Sequence, residues 1–196
     1  MSVFEHVEDS TPLTHEERCD LIPDLTTREE LNEWELQNIV VARSWALAPQ
    51  NLVRQNSMTE SYVRDLHTRM FDHTWKWAGR YRTTEKNIGI PHYLVRETLA
   101  LLLGDVQFWL ENETYEPDEI AVRLHHRLVF IHPFPNGNGR HARLLADVVT
   151  RVQGRETFSW GGGSVIETSE LRRRYIEALR SADKGDLQLL LTFARS

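Results

Sequence analysis

The sequence has little cysteine and no long hydrophobic run. Cys19 is the only cysteine among 196 residues, which excludes an intrachain disulfide and a zinc site built from several thiolates. The longest apolar stretch, residues 99–103, is far too short to cross a bilayer, and the first ten residues lack the pattern of a signal peptide. We therefore expect a cytoplasmic protein with no membrane partner.

Positive charge is also scarce. The formal net charge is −6, with 23 Lys and Arg against 29 Asp and Glu, so broad attraction to nucleic acid is not expected. The sequence contains no fixed-period repeat and no Gly/Ser linker, and 40% of it is hydrophobic, which favours one compact domain. Residues 1–25, with Pro12 and Pro23, are predicted to form an extended N-terminal arm, and residues 26–196 the domain.

Helical periodicity dominates that domain, which predicts a mainly α fold. Thr27 and Glu30, and again Ser57 and Glu60, have the spacing of a capping box at a helix start. Predicted helices run from 27 to before 49, from 57 towards 79, then over 96–110, 117–131, 140–152, 168–182 and 185–194. Residues 80–93 lack a helical stripe, and β-prone residues around 87–91 predict a short β-hairpin, which we call the flap.

The most informative string is HPFPNGNGRHAR, residues 132–143, between two helical segments. Gly137 and Gly139 permit positive φ and a close backbone approach. The free N–H groups at the start of the following helix point outward with partial positive charge. Together these features predict a cradle for phosphate.

Arg140 and Arg143 are three residues apart, so both guanidinium groups can face one side and hold neighbouring phosphates. His132 precedes the loop and has an ordinary pKa near neutrality, which suits a general base. The alternative is an ordinary interhelical turn with solvated arginines and a core histidine. A metal site from His125, His126, His141 and Asp147 is disfavoured because adjacent histidines point in different directions on a helix.

The whole string resembles the signature of Fic proteins, H-x-F-x-D/E-G-N-G-R-x-x-R, and every specified position matches except Asn136. The stretches TTREELNEWE, KNIGIP and YIEALRSADKGD extend the resemblance along the chain, which looks most like the Fic branch called mobile mystery protein B. The resemblance implies a mainly helical domain that transfers AMP from ATP to a Ser, Thr or Tyr hydroxyl of a protein target.

Residue roles follow from the same resemblance. His132 resembles the base, Gly137, Asn138, Gly139 and Arg140 the cradle of the α- and β-phosphates, and Arg143 the γ-phosphate clamp. The implied nucleotide-binding residues are Asn136, Gly137, Asn138, Gly139, Arg140, His141, Ala142, Arg143, Lys86, Asn87, Ile88, Gly89, Tyr175 and Asp183. Residues 86–89 resemble the flap that covers the nucleotide and pairs with the target's backbone.

Asn136 stands where Fic proteins usually have Asp or Glu to hold Mg²⁺. Because Mg²⁺ prefers charged oxygen ligands, a neutral amide predicts weak metal support and slower catalysis. Many Fic proteins also carry S/T-x-x-x-E-G/N, whose glutamate pairs with the second motif arginine. Thr26 and Glu30 match that spacing, so Glu30 is a candidate inhibitory partner of Arg143. The capping box explains Glu30 equally well.

Other functions stay open at this point. A different phosphate-containing donor is one alternative, and a catalytically weak nucleotide-binding regulator or toxin-like partner is another, motivated by Asn136. The resemblance adds a small helix-turn-helix protein as a candidate partner, on analogy alone. The sequence does not identify the target, the donor base or the oligomeric state.

Overall fold

The computed structural model describes residues 12–52, 58–162 and 168–196. Within these ranges the chain forms nine α-helices, which confirms the prediction of a mainly α fold. They are α1 His15–Cys19, α2 Arg28–Ala46, α3 Pro49–Leu52, α4 Glu60–Phe71, α5 Val95–Glu111, α6 Pro117–Ile131, α7 Asn138–Val152, α8 Thr168–Ala182 and α9 Gln188–Arg195.

The core is centred on α6 and α7, a helical hairpin joined by the loop 132–137. Ile120, Leu124 and Leu128 recur every four residues and bury one side of α6, as expected for an amphipathic helix. Helix α5 and helix α9 pack on α6, α4 packs on α7, and α2 packs on α4. The loop that carries the signature string therefore lies between elements fixed on several sides.

Two helix starts show how far local sequence determines the boundaries. Thr27 and Glu30 form the predicted capping box of α2, with Glu30 N–H donating to Thr27 Oγ1 at 3.2 Å. Helix α4 begins instead after Thr59, whose hydroxyl accepts from Tyr62 N–H at 3.2 Å. Ser57, the predicted cap, lies outside the described residues. Helix α4 also ends earlier than predicted, because residues 72–79 turn to bury two tryptophans, Trp75 and Trp77.

The flap is a loop rather than a hairpin. Residues 80–91, all described, contain no strand, and a 3₁₀ turn over His92–Leu94 leads into α5, so the predicted β-hairpin is not confirmed. The carbonyls of Thr84 and Ile90 accept hydrogen bonds from the Arg82 side chain. The Arg82 side chain, near the start of the loop, thus takes the place of cross-strand N–H donors.

The N-terminal segment packs on the domain from residue 12 onward; residues 1–11 lie outside the described ranges. The segment expected to be extended contains α1, capped by Thr14. The backbone then pairs with the turn after α4, where Ile22 N–H donates to Thr74 O at 2.9 Å and Lys76 N–H donates to Asp20 O at 3.0 Å. Among the helices described, none has the length and apolar character needed to cross a membrane.

Candidate active site

The loop between α6 and α7 begins with a sharp change of direction at His132. This residue ends α6 in the left-handed conformation, with φ 54° and ψ 60°, while its N–H still donates to Leu128 O at 3.0 Å. Two residues later Phe134 is fully buried and stacks on His67, with ring centroids 3.8 Å apart. This anchor holds the loop on the core.

Asn138 closes the loop with its side chain. Its Oδ1 accepts from Phe134 N–H at 2.9 Å and its Nδ2 donates to Phe134 O at 2.8 Å. Because this amide is buried and both its oxygen and its nitrogen bond to Phe134, the side chain shapes the loop, and the backbone N–H of Asn138 is the group offered to a ligand.

His67, on α4, supports the loop, although no sequence pattern predicts this role. Gly79 N–H donates to His67 Nδ1 at 3.0 Å, which leaves Nε2 as the protonated nitrogen facing Asn136 O at 3.1 Å. Burial lowers the pKa of His67 well below its usual range, so the ring is neutral at neutral pH. A neutral ring can both accept and donate, as this bridge requires.

Gly137 brings the backbone close to the core and starts α7. Its φ is 78°, and a Cβ there would lie 2.6 Å from Phe71 Cζ, so a larger residue is excluded. The first helical hydrogen bond runs from His141 N–H to Gly137 O at 2.9 Å. The N–H groups of residues 138–140 therefore have no acceptor inside the helix and form the predicted anion-binding end.

These groups open into a cavity of about 440 Å³. Its polar lining includes His132, residues 136–140 and Arg143. Apolar side chains also line it: Val129, Trp160, Leu171, Ile176, Leu179 and Phe193. A cavity lined by both kinds of group suits a ligand that joins an anionic group to a flat apolar one.

Arg143 lies over the ring of Tyr175, with its guanidinium carbon 4.3 Å from the ring centroid. Its buried Nε has no hydrogen-bond partner within the described residues. The Tyr175 hydroxyl is 3.1 Å from Nε2 of buried His125, so Tyr175 presents its ring to the cavity. His125 thus fixes the surface on which Arg143 rests.

Arg140 makes a different set of contacts. Its Nη1 donates to Glu35 Oε2 at 2.6 Å, and the other carboxylate oxygen of Glu35 accepts from Trp75 Nε1 at 2.7 Å. The Glu35 residue is 4% exposed. Glu35 was not predicted as a functional residue, although its charge lies on the side of α2 shared by buried Leu31 and Ala42, which was the available signal.

His132 is suited to accept a proton. The residue is 4% exposed and belongs to the cavity lining. Burial, together with the positive charges of Arg82 and Lys86, lowers the pKa of His132 to about 4. The imidazole is therefore neutral at neutral pH, which is the form a general base needs.

The expected contact between Glu30 and Arg143 is not formed in this structure, where Glu30 caps α2, so an inhibitory role of Glu30 stays a prediction from the sequence. Its carboxylate accepts from Thr26 N–H at 2.8 Å, Thr26 Oγ1 at 3.1 Å and Thr27 N–H at 3.0 Å. The hydrogen bond from the Thr26 backbone is the main cause of the lowered pKa of Glu30. The capping box is confirmed, and α2 presents Arg28 and Asn32 to the cavity instead.

Lys86 is absent from the cavity lining, contrary to expectation. Its ammonium donates to Glu17 Oε2 at 2.5 Å and to Pro12 O at 3.0 Å, and its side chain is 1% exposed. Because the ammonium is enclosed in this ion pair with α1, it is not available to bind a phosphate in the cavity. Of the predicted flap residues 86–89, Ile88 lines the cavity, and Gly89 packs against His132.

Three other predicted residues, Asp183, His141 and Ala142, lie outside the cavity lining. Asp183 faces His126, with 2.8 Å between Oδ1 and Nε2. His141 and Ala142 are buried, and His141 Nε2 lies 2.9 Å from Val63 O. These two residues lie on the buried side of α7. Asn136 lines the cavity, and its Oδ1 accepts from Gly137 N–H at 2.6 Å.

Comparison with known proteins gives a consistent result. Residues 57–150 match the model of the Fic/DOC family. Protein adenylyltransferase Fic of Nematostella vectensis is 31% identical over 144 residues, which cover 71% of this chain and 32% of that protein. Protein adenylyltransferase fic-1 of Caenorhabditis elegans is 36% identical over 119 residues, covering 57% of this chain and 21% of that one. The chain thus spans about a third or less of these relatives.

Solved structures share the fold. A Fic-1 fragment from C. elegans superposes with a TM-score of 0.65 at 25% identity, covering 91% of this chain and 51% of that chain. The BepC protein of Bartonella tribocorum, solved with bound AMPPNP, superposes with a TM-score of 0.67 at 18% identity, covering 93% and 97%. Together with the signature loop and its helical frame, these matches show that the chain belongs to the Fic/DOC family.

Proposed function

We propose that this protein transfers AMP from ATP to a Ser, Thr or Tyr hydroxyl of a protein target. The observation that carries the proposal is a cavity of about 440 Å³ whose lining combines a neutral histidine, a helix N-terminus and the signature arginines Arg140 and Arg143. Relatives that share 31% and 36% identity are named protein adenylyltransferases. The family and the geometry therefore support the same chemistry.

The polar and apolar groups of the cavity lining suggest how the nucleotide binds. The N–H groups of residues 138–140 receive the α- and β-phosphates, with Arg140 beside them and Arg143 at the γ-phosphate. The adenine packs on apolar lining residues such as Trp160, Leu171 and Ile176. This orientation brings the α-phosphorus to the side of the cavity where His132 lies.

The transfer is a displacement at that phosphorus. The target hydroxyl oxygen forms a new bond to the α-phosphorus while the bond to the bridging oxygen breaks, and pyrophosphate leaves. Neutral His132 takes the hydroxyl proton. The helix N-terminus and the arginines stabilise negative charge on the phosphoryl oxygens, which is where such sites gain most of their rate.

A magnesium ion fits this site only as a companion of the nucleotide. The described residues contain no group of three His, Cys, Asp or Glu side chains able to hold a metal by themselves. Asn136 offers one neutral carbonyl oxygen, which also accepts from Gly137 N–H. When bound, Mg²⁺ neutralises phosphate charge; it would rely mainly on phosphate oxygens and water, with Asn136 as a weak ligand.

The flap loop 80–91 is the proposed docking site for the target. Ile88 is 45% exposed and also lines the cavity, so it connects the surface to the reacting centre. A target segment laid along 86–89 would bring its hydroxyl towards His132. A helix-turn-helix partner and a cytoplasmic location stay predictions from the sequence.

The test uses ATP labelled in parallel at the α- and γ-phosphates, with purified protein, Mg²⁺ and host lysate. We expect α-label on protein from the wild type and from His73→Ala, a control whose imidazole side chain is 75% exposed, and none from His132→Ala. Label from γ alone would mean phosphotransfer. Measurable ATP binding without any label would favour the nucleotide-binding regulator.

A further inference from the structure

Arg82 is a cation buried beside the reacting centre, with only 2% of its surface exposed. Its Nε donates to His132 O at 2.7 Å, and its Nη2 lies 3.5 Å from Ile131 O. Its Nη1 donates to Thr84 O at 3.0 Å, and its Nη2 also donates to Ile90 O. One side chain thus joins both ends of the flap to the last residues of α6.

The acceptors explain why an arginine stands here. Carbonyls at the end of a helix have no intrahelical donor, and a positive charge is favourable there. The flap carbonyls likewise lie in a loop without strand pairing. A guanidinium offers five donors in a rigid plane, whereas an ammonium offers three from one point, so lysine could not reach the same set.

The backbone tightens the same junction. Arg82 N–H donates to Pro133 O at 2.9 Å. Gly89 has φ 103°, and a Cβ at this position would lie 2.7 Å from His132 Cβ and 3.0 Å from Arg82 Nη2. The flap therefore touches His132 directly, with no room for a methyl group between them.

We propose that Arg82 is a positioning residue that locks the flap onto the backbone of His132. The target-docking loop and the base then keep a fixed position relative to each other. Arg82 is absent from the cavity lining, whereas Ile88 in the loop it holds is part of it. Arg82 therefore acts through the placement of other groups. The inference rests on the proposed function, because the relative position of the flap and the base matters only if a target hydroxyl must reach His132.

The experiment compares Arg82→Met with Arg80→Met, an exposed arginine two residues earlier. We expect Arg82→Met to lower kcat/KM for AMP transfer about 100-fold, the scale of a displacement of 1 Å at a reacting group. ATP affinity should change less than about threefold, because the phosphate-binding groups are untouched. Arg80→Met should behave as wild type.

Gly89→Ala provides a second test that leaves Arg82 in place. Its control is Gly154→Ala, which has φ 72° and nothing within 4 Å of the added Cβ. Both variants place alanine at positive φ, but only Gly89→Ala presses on His132. We expect transfer to fall in Gly89→Ala alone. If Arg82→Met does not fold, this comparison still tests whether transfer depends on the contact between the flap and His132.

The third readout does not depend on activity. Nuclear magnetic resonance of the imidazole nitrogens reports the His132 pKa, which the Arg82 charge helps to hold at about 4. Arg82→Met should raise this pKa by about one unit, while Arg82→Lys should keep it low yet still lose transfer. The other positively charged side chains that face the histidine or its cavity are unchanged in every variant: Lys86, Arg140, Arg143, Arg28 and Arg172.

These readouts separate two failures. If the wild type transfers no AMP, the proposed function fails, and the His132 pKa together with hydrogen exchange of residues 84–90 still tests the lock. The lock itself is refuted if folded Arg82→Met keeps the wild-type pKa and the wild-type exchange rates. It is equally refuted if Arg82→Met and Gly89→Ala both transfer AMP as fast as their controls.

Discussion

Replacing Arg140 should damage the fold as well as the phosphate site. Arg140→Ala removes the guanidinium from Glu35, whose carboxylate is 6% exposed and then retains only Trp75 Nε1. Removing one partner of a buried ion pair costs about 3–5 kcal/mol, because the other charge stays buried without compensation. Because Arg140 itself is 37% exposed, the cost comes from Glu35, and we expect the lower end of that range.

A double-mutant cycle isolates this contribution. Glu35→Gln keeps the shape of the side chain and leaves Arg140 able to reach solvent, so it should cost only about 1 kcal/mol. The double variant Glu35→Gln/Arg140→Ala has no buried charge at this position. It should therefore be more stable than Arg140→Ala alone, by about 2 kcal/mol. The assay is urea unfolding at pH 7 followed by circular dichroism.

Arg143→Ala is the matched control, three residues along the same helix. Arg143 rests on the Tyr175 ring, whereas the ion pair with buried Glu35 is made by Arg140, so removing Arg143 should lower ATP affinity yet cost less than about 1 kcal/mol of stability. The reasoning fails if Arg140→Ala is as stable as Arg143→Ala. It also fails if the losses in free energy of unfolding of Glu35→Gln and Arg140→Ala add up to the loss in the double variant.

Three further predictions follow from the site. Asn136→Asp should lower the Mg²⁺ concentration that gives half-maximal transfer, since a carboxylate binds Mg²⁺ better than an amide; an unchanged requirement would exclude this position as a ligand. Glu30→Gln should leave transfer unchanged and should lower the melting temperature slightly at neutral pH. This loss should vanish at acid pH, because a carboxylate whose pKa is lowered by folding stabilises the fold only above its pKa in the unfolded chain. The free energy of unfolding, measured by urea titration, should fall steeply from pH 6.5 towards pH 4, by up to ~5 kcal/mol per pH unit. The reason is that four buried histidines have lowered pKa values, so the unfolded chain binds more protons than the folded one: His67, His125, His132 and His141.

Local patterns were enough to predict most helices and the centre of the site. Apolar spacing and Pro117 gave α6, and the capping pair Thr27 and Glu30 gave the start of α2. The signature string predicted a loop that feeds a helix N-terminus, which the structure has at Gly137. These features depend on hydrogen bonds within a few residues, so the sequence contains the information directly.

The contacts that the sequence did not reveal join distant segments. Glu35 meets Arg140 across 105 positions, and Lys86 meets Glu17 across 69. Spacing alone made Glu30 a candidate partner for Arg143, yet a competing local hydrogen bond to Thr26 and Thr27 holds it. A short-range cap has a low entropic cost, whereas a long-range ion pair depends on the whole fold.

The signature string combines two physically different kinds of residue. Phe134, Asn138 and His141 are buried and shape the loop, whereas Arg140 and Arg143 face the cavity. A matching sequence is therefore evidence for a folded loop as much as for a ligand. Loss of transfer in Asn138→Ala would show that the loop needs its closing amide, and it would not show contact with nucleotide. Only positions whose substitution spares stability and changes ATP affinity or transfer, as we expect for Arg143 and His132, can be assigned to the chemistry.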